Sequence, residues 1–126
     1  MPSINEVIER ANRVRPDAID DATKAAWLLN LNEQLYRETV LRHEITEEIP
    51  EQPKAYPADG DMPLLVGSPW DGLYDLYLFS QADFINRESA NYNNSVQAYN
   101  AALDEWQKQY HRQHMPGGTN ALKNVF

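Results

Sequence analysis

Tyr92, Val96, Tyr99, Leu103, Trp106 and Tyr110 follow one another at steps of four, three, four, three and four residues. That spacing dictates one long helix with an unbroken apolar seam, which has to bury against a partner helix. The stretch carrying Leu73, Leu76, Tyr77 and Phe84 is the expected partner. Each seam residue that is buried contributes about 1.5–3 kcal/mol, enough together to dominate the stability of a small domain. Such a chain reads first as a helical scaffold. Trp27, Trp70 and the remaining tyrosines are expected in a shared core, since helical spacing favours that use over a ligand pocket.

With 126 residues the chain forms one domain, large enough to bury roughly two thirds of the surface its unfolded form exposes. Cysteine is absent, which removes disulfides, thiolate metal sites and cysteine nucleophiles. The first residues hold neither a basic region nor an apolar run, and no long apolar stretch follows. A soluble chain with no membrane span and no targeting segment is expected.

The net charge of −8 is concentrated in the middle third. Glu44, Glu47, Glu48, Glu51, Asp59, Asp61, Asp71, Asp75 and Asp83 face Lys54 alone, while the rest of the chain balances. A segment of this kind is repelled by phosphate backbones, so specific nucleic-acid binding is not expected. The plain reading of these acids is a solvated loop and helix face.

Ser3 with Glu6 forms a capping box, and Ile4, Val7, Ile8, Ala11 and Val14 recur at helical spacing until Arg15-Pro16, which predicts a first helix over about 3–15. An aspartate cap after the turn at Pro16 opens a second helix over about 21–43. Its apolar residues, Leu28, Leu31 and Leu35 with Ala22, Ala25, Ala26, Leu29, Tyr36 and Val40, cover more than half its circumference, so it is expected to pack on two sides. Pro50, Pro53, Pro57 and Pro63, with the turn at Asp59-Gly60-Asp61, predict a long extended loop over 44–67, with a weak strand signal at 64–66. Ser68-Pro69-Trp70-Asp71 reads as a cap followed by a proline at the first helical position, opening a third helix that runs to about 87. After a break near 86–91 the seam helix runs to 114 and ends at Pro116-Gly117-Gly118. The expected fold is all-α: a bundle of about four helices, with a helical domain over 1–116 and a flexible tail over 117–126.

Chemistry is sparse. His111 and His114 lie one helical turn apart and His43 is the only other histidine, but no further ligand is specified and no metal site is expected. Asp59-Gly60-Asp61 lacks the oxygen spacing of a calcium loop. Phosphate loops and nucleophile elbows are missing, so no cofactor is expected. Asp71 and Asp75 are one turn apart, which serves acid–base work only inside a pocket; a solvated face is the expectation, and the chain is not expected to be an enzyme.

The residues also carry a resemblance. It runs through Glu6-Val7-Ile8, Arg10-Ala11-Asn12, Arg15-Pro16, then Leu64-Leu65-Val66 into Pro69, Asp71, Leu73-Tyr74 and Tyr77-Leu78. Asp83-Phe84, Tyr92-Asn93-Asn94-Ser95, Tyr99-Asn100 and His114-Met115-Pro116 continue it. In order and spacing the chain resembles the helical head-to-tail connector, or adaptor, proteins of tailed phages and prophages, over nearly its whole length.

The resemblance implies a virion protein, made in the host cytoplasm, that forms a homo-oligomeric ring of about twelve subunits beneath the portal. Such a ring extends the DNA channel and offers a platform for the next connector, stopper or tail protein. By the same resemblance the carboxyl-terminal segment grips the portal, with Gly117 opening it, Leu122, Val125 and Phe126 as apolar anchors and Lys123 as an ionic contact. Glu44, Glu47, Glu48, Glu51, Asp59 and Asp61 would then face the channel or a neighbouring subunit, because walls that do not hold phosphate let DNA pass. The seam would serve as helical core or subunit interface. The rival reading is a small helical regulatory module that binds a partner through its tyrosines and tryptophans and has no virion role.

Overall fold

Ser3 caps the first helix as its sequence predicts: Ser3 Oγ accepts the Glu6 amide at 3.2 Å and Glu6 Oε1 accepts the Ser3 amide at 3.0 Å. The computed structural model describes residues 2–16, 19–39 and 51–113. Four α-helices occupy them: α1 (Ile4–Val14), α2 (Asp21–Glu38), α3 (Gly72–Ile85) and α4 (Ser89–Gln113). No strand occurs among the described residues, and the chain is an all-α protein.

α1 presents Ile4, Val7, Ile8 and Ala11 to the interior, the one-face pattern of an amphipathic helix. α2 opens where Asp20 Oδ1 accepts the Thr23 amide at 3.0 Å. It ends at Glu38, where Thr39 closes it on the Leu35 carbonyl, so it stops short of the boundary read at 43; residues 40–43 lie outside the described set. Leu28, Leu31 and Leu35 are buried, while Leu29 and Tyr36 pack at the margin of the core.

The segment before α3 differs from the sequence reading in two ways. Residues 64–66 form no strand; an isolated bridge joins Ser3 to Pro63 and the Leu64 amide donates to the Pro2 carbonyl at 2.8 Å. Leu64 and Val66 are nonetheless fully buried. The helix after them begins at Gly72, not at Ser68-Pro69. The Ser68–Pro69 peptide is cis, and the Trp70 amide donates to the Gly67 carbonyl in a separate turn. Asp71 occupies the cap position without capping through its side chain, which is engaged elsewhere.

α3 and α4 form an antiparallel hairpin. α3 ends in a Schellman motif: the Glu88 amide donates to the Asp83 carbonyl (3.0 Å) and the Arg87 amide to the Phe84 carbonyl (3.2 Å). Arg87 takes φ 59°, the left-handed position usually given to glycine. α1, α2 and α3 pack on one another, while among the described helices α4 packs on α3 alone. Its far half returns to the body, where Trp106 is buried and Gln107 Nε2 donates to Thr39 Oγ1.

Candidate functional site

The best-organised polar chemistry lies inside the bundle and holds residues 64–66 in place. Asn32 is buried on α2, and its Oδ1 accepts both the Leu65 amide (2.9 Å) and the Tyr74 hydroxyl (2.8 Å). Tyr74 Oη in turn accepts the Val66 amide at 2.9 Å. Asn32 Nδ2 donates to Gln52 Oε1 at 2.8 Å. An extended segment with no strand partner thus has its buried amides satisfied by side chains, as buried backbone groups require. Burial pushes the Tyr74 phenol well above its ordinary value, against the opposing hydrogen bond from the Val66 amide. Tyr99 is raised likewise, first by burial and then by Tyr77 and Glu38.

Three acids expected on a solvated face are internal partners instead. Arg10 forks onto Asp75 through Nε (2.9 Å to Oδ2) and Nη2 (2.7 Å to Oδ1), and its Nη1 reaches Asp71 Oδ2 at 3.0 Å. Asp75, with Asp71, raises the Arg10 guanidinium further above its usual range. Five residues further on, at the cap that follows α1, Arg15 pairs with Asp83, which is fully buried. Asp83 Oδ2 also accepts the Ser95 hydroxyl at 2.7 Å, and Arg15 lies over the Phe79 ring. Since Arg10 meets the start of α3 and Arg15 its end, the two helices run parallel and finish at the same end of the molecule. Asp71 and Asp75 have their carboxylates committed to a fixed cation, a structural use in place of both the acid–base and the solvated readings.

The seam divides along its length. Trp106 is buried, and Tyr99, Leu103 and Tyr110 pack against the main core. Tyr77 meets Tyr99 at 5.3 Å between ring centroids, as the expected α3 partner surface requires. Tyr92 and Val96 are half-buried and lie outside that core; Tyr92 packs instead on Phe84 at 5.5 Å. Trp27, Trp70, Tyr36 and Tyr56 all pack on the core, the shared use expected of the aromatics.

Of the acidic loop residues, Glu51 and Asp61 are exposed, and Asp59 Oδ2 accepts the Lys54 and Ala55 amides as a turn-forming side chain. Asp61 Oδ1 accepts from Asn5 Nδ2, and the Gly60 carbonyl accepts the Asn5 amide, which seats this turn on the start of α1. Glu44, Glu47 and Glu48 lie outside the described residues, as do His43, His114 and the whole set Gly117, Leu122, Lys123, Val125 and Phe126. His111 is exposed, and no group of acids and histidines suited to a metal occurs among the described residues. No described helix is long and apolar enough to cross a membrane.

Two surface features stand out. One is a set of exposed apolar residues at the carboxyl ends of α1 and α3, where Val14 is 70% exposed, Phe84 63% and Ile85 52%. The other is an open groove of about 680 Å³ between α2 and residues 51–54, walled by Ala26, Leu29, Tyr36 and Pro53. Sequence reasoning missed Arg10, Arg15, Asn32 and Arg87. Their partners are separated by tens of residues or, for Arg87, by a turn without glycine, so no local pattern marks them.

Scans against family models, curated proteins and solved structures return no match. Among the described residues the arrangement is a braced hairpin, exposed apolar residues at the ends of α1 and α3, and a groove beside α2.

Proposed function

We propose that this chain is a head-to-tail connector subunit of a tailed phage or prophage, assembling as a ring beneath the portal and offering a platform to the next connector or tail protein. The observation that carries the reading is the α3–α4 hairpin. Its far half packs on the body through Trp106, and the end held against α1 by Arg15 and Asp83 exposes Phe84 and Ile85, a rigid apolar surface suited to meeting another protein. The resemblance in residue order supplies the identity of that surface's owner. In this role the chain has no catalytic step, its location is the head–tail junction of the virion, and DNA passes through the ring without specific recognition.

The tail over 117–126 is assigned to the portal, with Leu122, Val125 and Phe126 as anchors and Lys123 beside them. Burial of those three apolar residues against the portal would supply the affinity of the contact. The test is sedimentation of the full-length chain with the portal protein encoded in the same genome. A ring-sized complex is expected, and it is lost when residues 117–126 are deleted. A chain that ignores the portal but retains a different protein partner would be the regulatory module instead.

A further inference from the structure

We propose that the carboxyl-terminal segment folds back and seats Leu122, Val125 and Phe126 in the groove beside α2 of the same molecule. The contact goes beyond the connector reading, which assigns these residues to the portal, and makes the groove the place they occupy before a portal arrives.

The groove suits an apolar occupant. Its walls are Ala26, Leu29, Tyr36 and Pro53, and at about 680 Å³ it has the size of cavities that take compact apolar groups. Of the charges on its lining, Glu33 is held by Arg37 at 2.8 Å, and Glu51 and Lys54 offset one another, so no net charge selects a charged partner. Leu122, Val125 and Phe126 stand at positions i, i+3 and i+4. One turn of helix would put all three on one face and Lys123 and Asn124 off it, the pattern of a segment that lies in an apolar groove.

α4 delivers this segment to the open end of the groove. Gln107 Nε2 donates to Thr39 Oγ1 at 3.2 Å, so α4 passes the last turn of α2, and Tyr36 of the groove lies one turn before Thr39. From Gln107 to Gln113 α4 adds about 9 Å, and from Thr39 back to Ala26 along α2 is about 20 Å. Those two legs overstate the straight-line separation; residues 114–121 extended at about 3.3 Å each, followed by one helical turn, span about 30 Å. Pro116-Gly117-Gly118 has the composition of the turn that such a reversal needs. Tethered this closely, the three residues meet the groove at an effective concentration on the order of millimolar, whereas a second copy has to approach against a net charge of −8 on each molecule.

The chain contains no cysteine, so an introduced pair reports the contact without background. Full-length chain carrying Ala26→Cys with Val125→Cys is oxidised mildly in dilute solution, with Glu38→Cys and Val125→Cys as the control pair. Glu38 is exposed and closer to the end of α4 along α2, so a segment with no seat would link to it first. The intrachain disulfide of the groove pair should form about tenfold faster than that of the control, and Phe126→Ser should remove the difference. Equal rates, or a faster control, overturn the contact. Disulfides that form between chains and rise with protein concentration give the groove to a second copy, and overturn it as well. Sedimentation of the wild-type chain with the portal keeps the two ideas apart: a groove cross-link in a chain that ignores the portal supports this contact and removes only the connector reading, and portal binding without the cross-link removes only this contact.

Discussion

Asn32 shows how much one side chain decides in this protein. Its Oδ1 satisfies two donors that have no other acceptor, the Leu65 amide and the Tyr74 hydroxyl. Replacing it with alanine leaves both buried and unpaired, at about 1–3 kcal/mol for each group. Asn32→Ala should therefore lower the thermal midpoint by well over 5 °C, as read by circular dichroism. Tyr74 and Tyr99 add a dependence on alkali. Both phenols are raised in the folded state, so their protonated forms belong to the fold. Stability is then fully present below the unfolded value near pH 10 and falls as pH rises above it, by up to about 1.4 kcal/mol per pH unit for the buried Tyr74 and by less for Tyr99, which solvent partly screens. Denaturant titrations from pH 9 upward should show this slope, and Tyr99→Phe should reduce it by less than half. A flat profile would mean that neither phenol is protected.

Among elements, the α3–α4 hairpin gives the sharpest contrasts. Arg87 occupies a left-handed position at which glycine carries no steric penalty. Arg87→Gly should raise stability by about 0.5–1 kcal/mol in urea unfolding, since the turn geometry is already fixed by the Schellman hydrogen bonds. Leu103 packs against the core and Phe84 is mostly exposed. Leu103→Asp should therefore unfold the domain, while Phe84→Asp should keep its midpoint within a few degrees; equal losses would show that the tip belongs to the core. The helices themselves were legible because their signals are local: the Ser3–Glu6 box, the aspartate at the head of α2 and the seam of α4. The start of α3 was misread because Ser68-Pro69 has the composition of a cap, and only the turn closed by Gly67 and Trp70 shows that the helix waits until Gly72. Asp71, Asp75 and Asp83 looked like a solvated face because their arginines sit on α1 and at its cap, more than sixty positions away.

At the scale of the whole molecule, charge that looked uniform divides into two populations. Asp71, Asp75 and Asp83 are paired internally with Arg10 and Arg15, two guanidiniums for three carboxylates, which leaves the loop acids as the largest share of the remaining negative potential. If that potential lines a DNA channel, Glu47, Glu48 and Glu51 changed together to glutamine should alter genome retention or ejection in assembled particles. Particles that retain and release DNA normally would place the loop away from the channel. Such a pattern is only partly legible in a sequence, since counting acids cannot tell a paired carboxylate from a free one.

The double acceptance at Asn32 also bears on the order in which the chain comes together. Its partners lie 33 and 42 residues away, whereas α3 and α4 are joined by a short turn. Nearby contacts close with the smaller entropy loss, so the hairpin has the head start. The Leu65 amide gains its acceptor only once residue 65 meets α2, and the Tyr74 hydroxyl that accepts the Val66 amide reaches Asn32 only when α2 and α3 stand side by side. The same step, run backwards, should free residues 65–66 before the hairpin opens, so exchange of the Leu65 amide is expected to precede that of the α3–α4 amides.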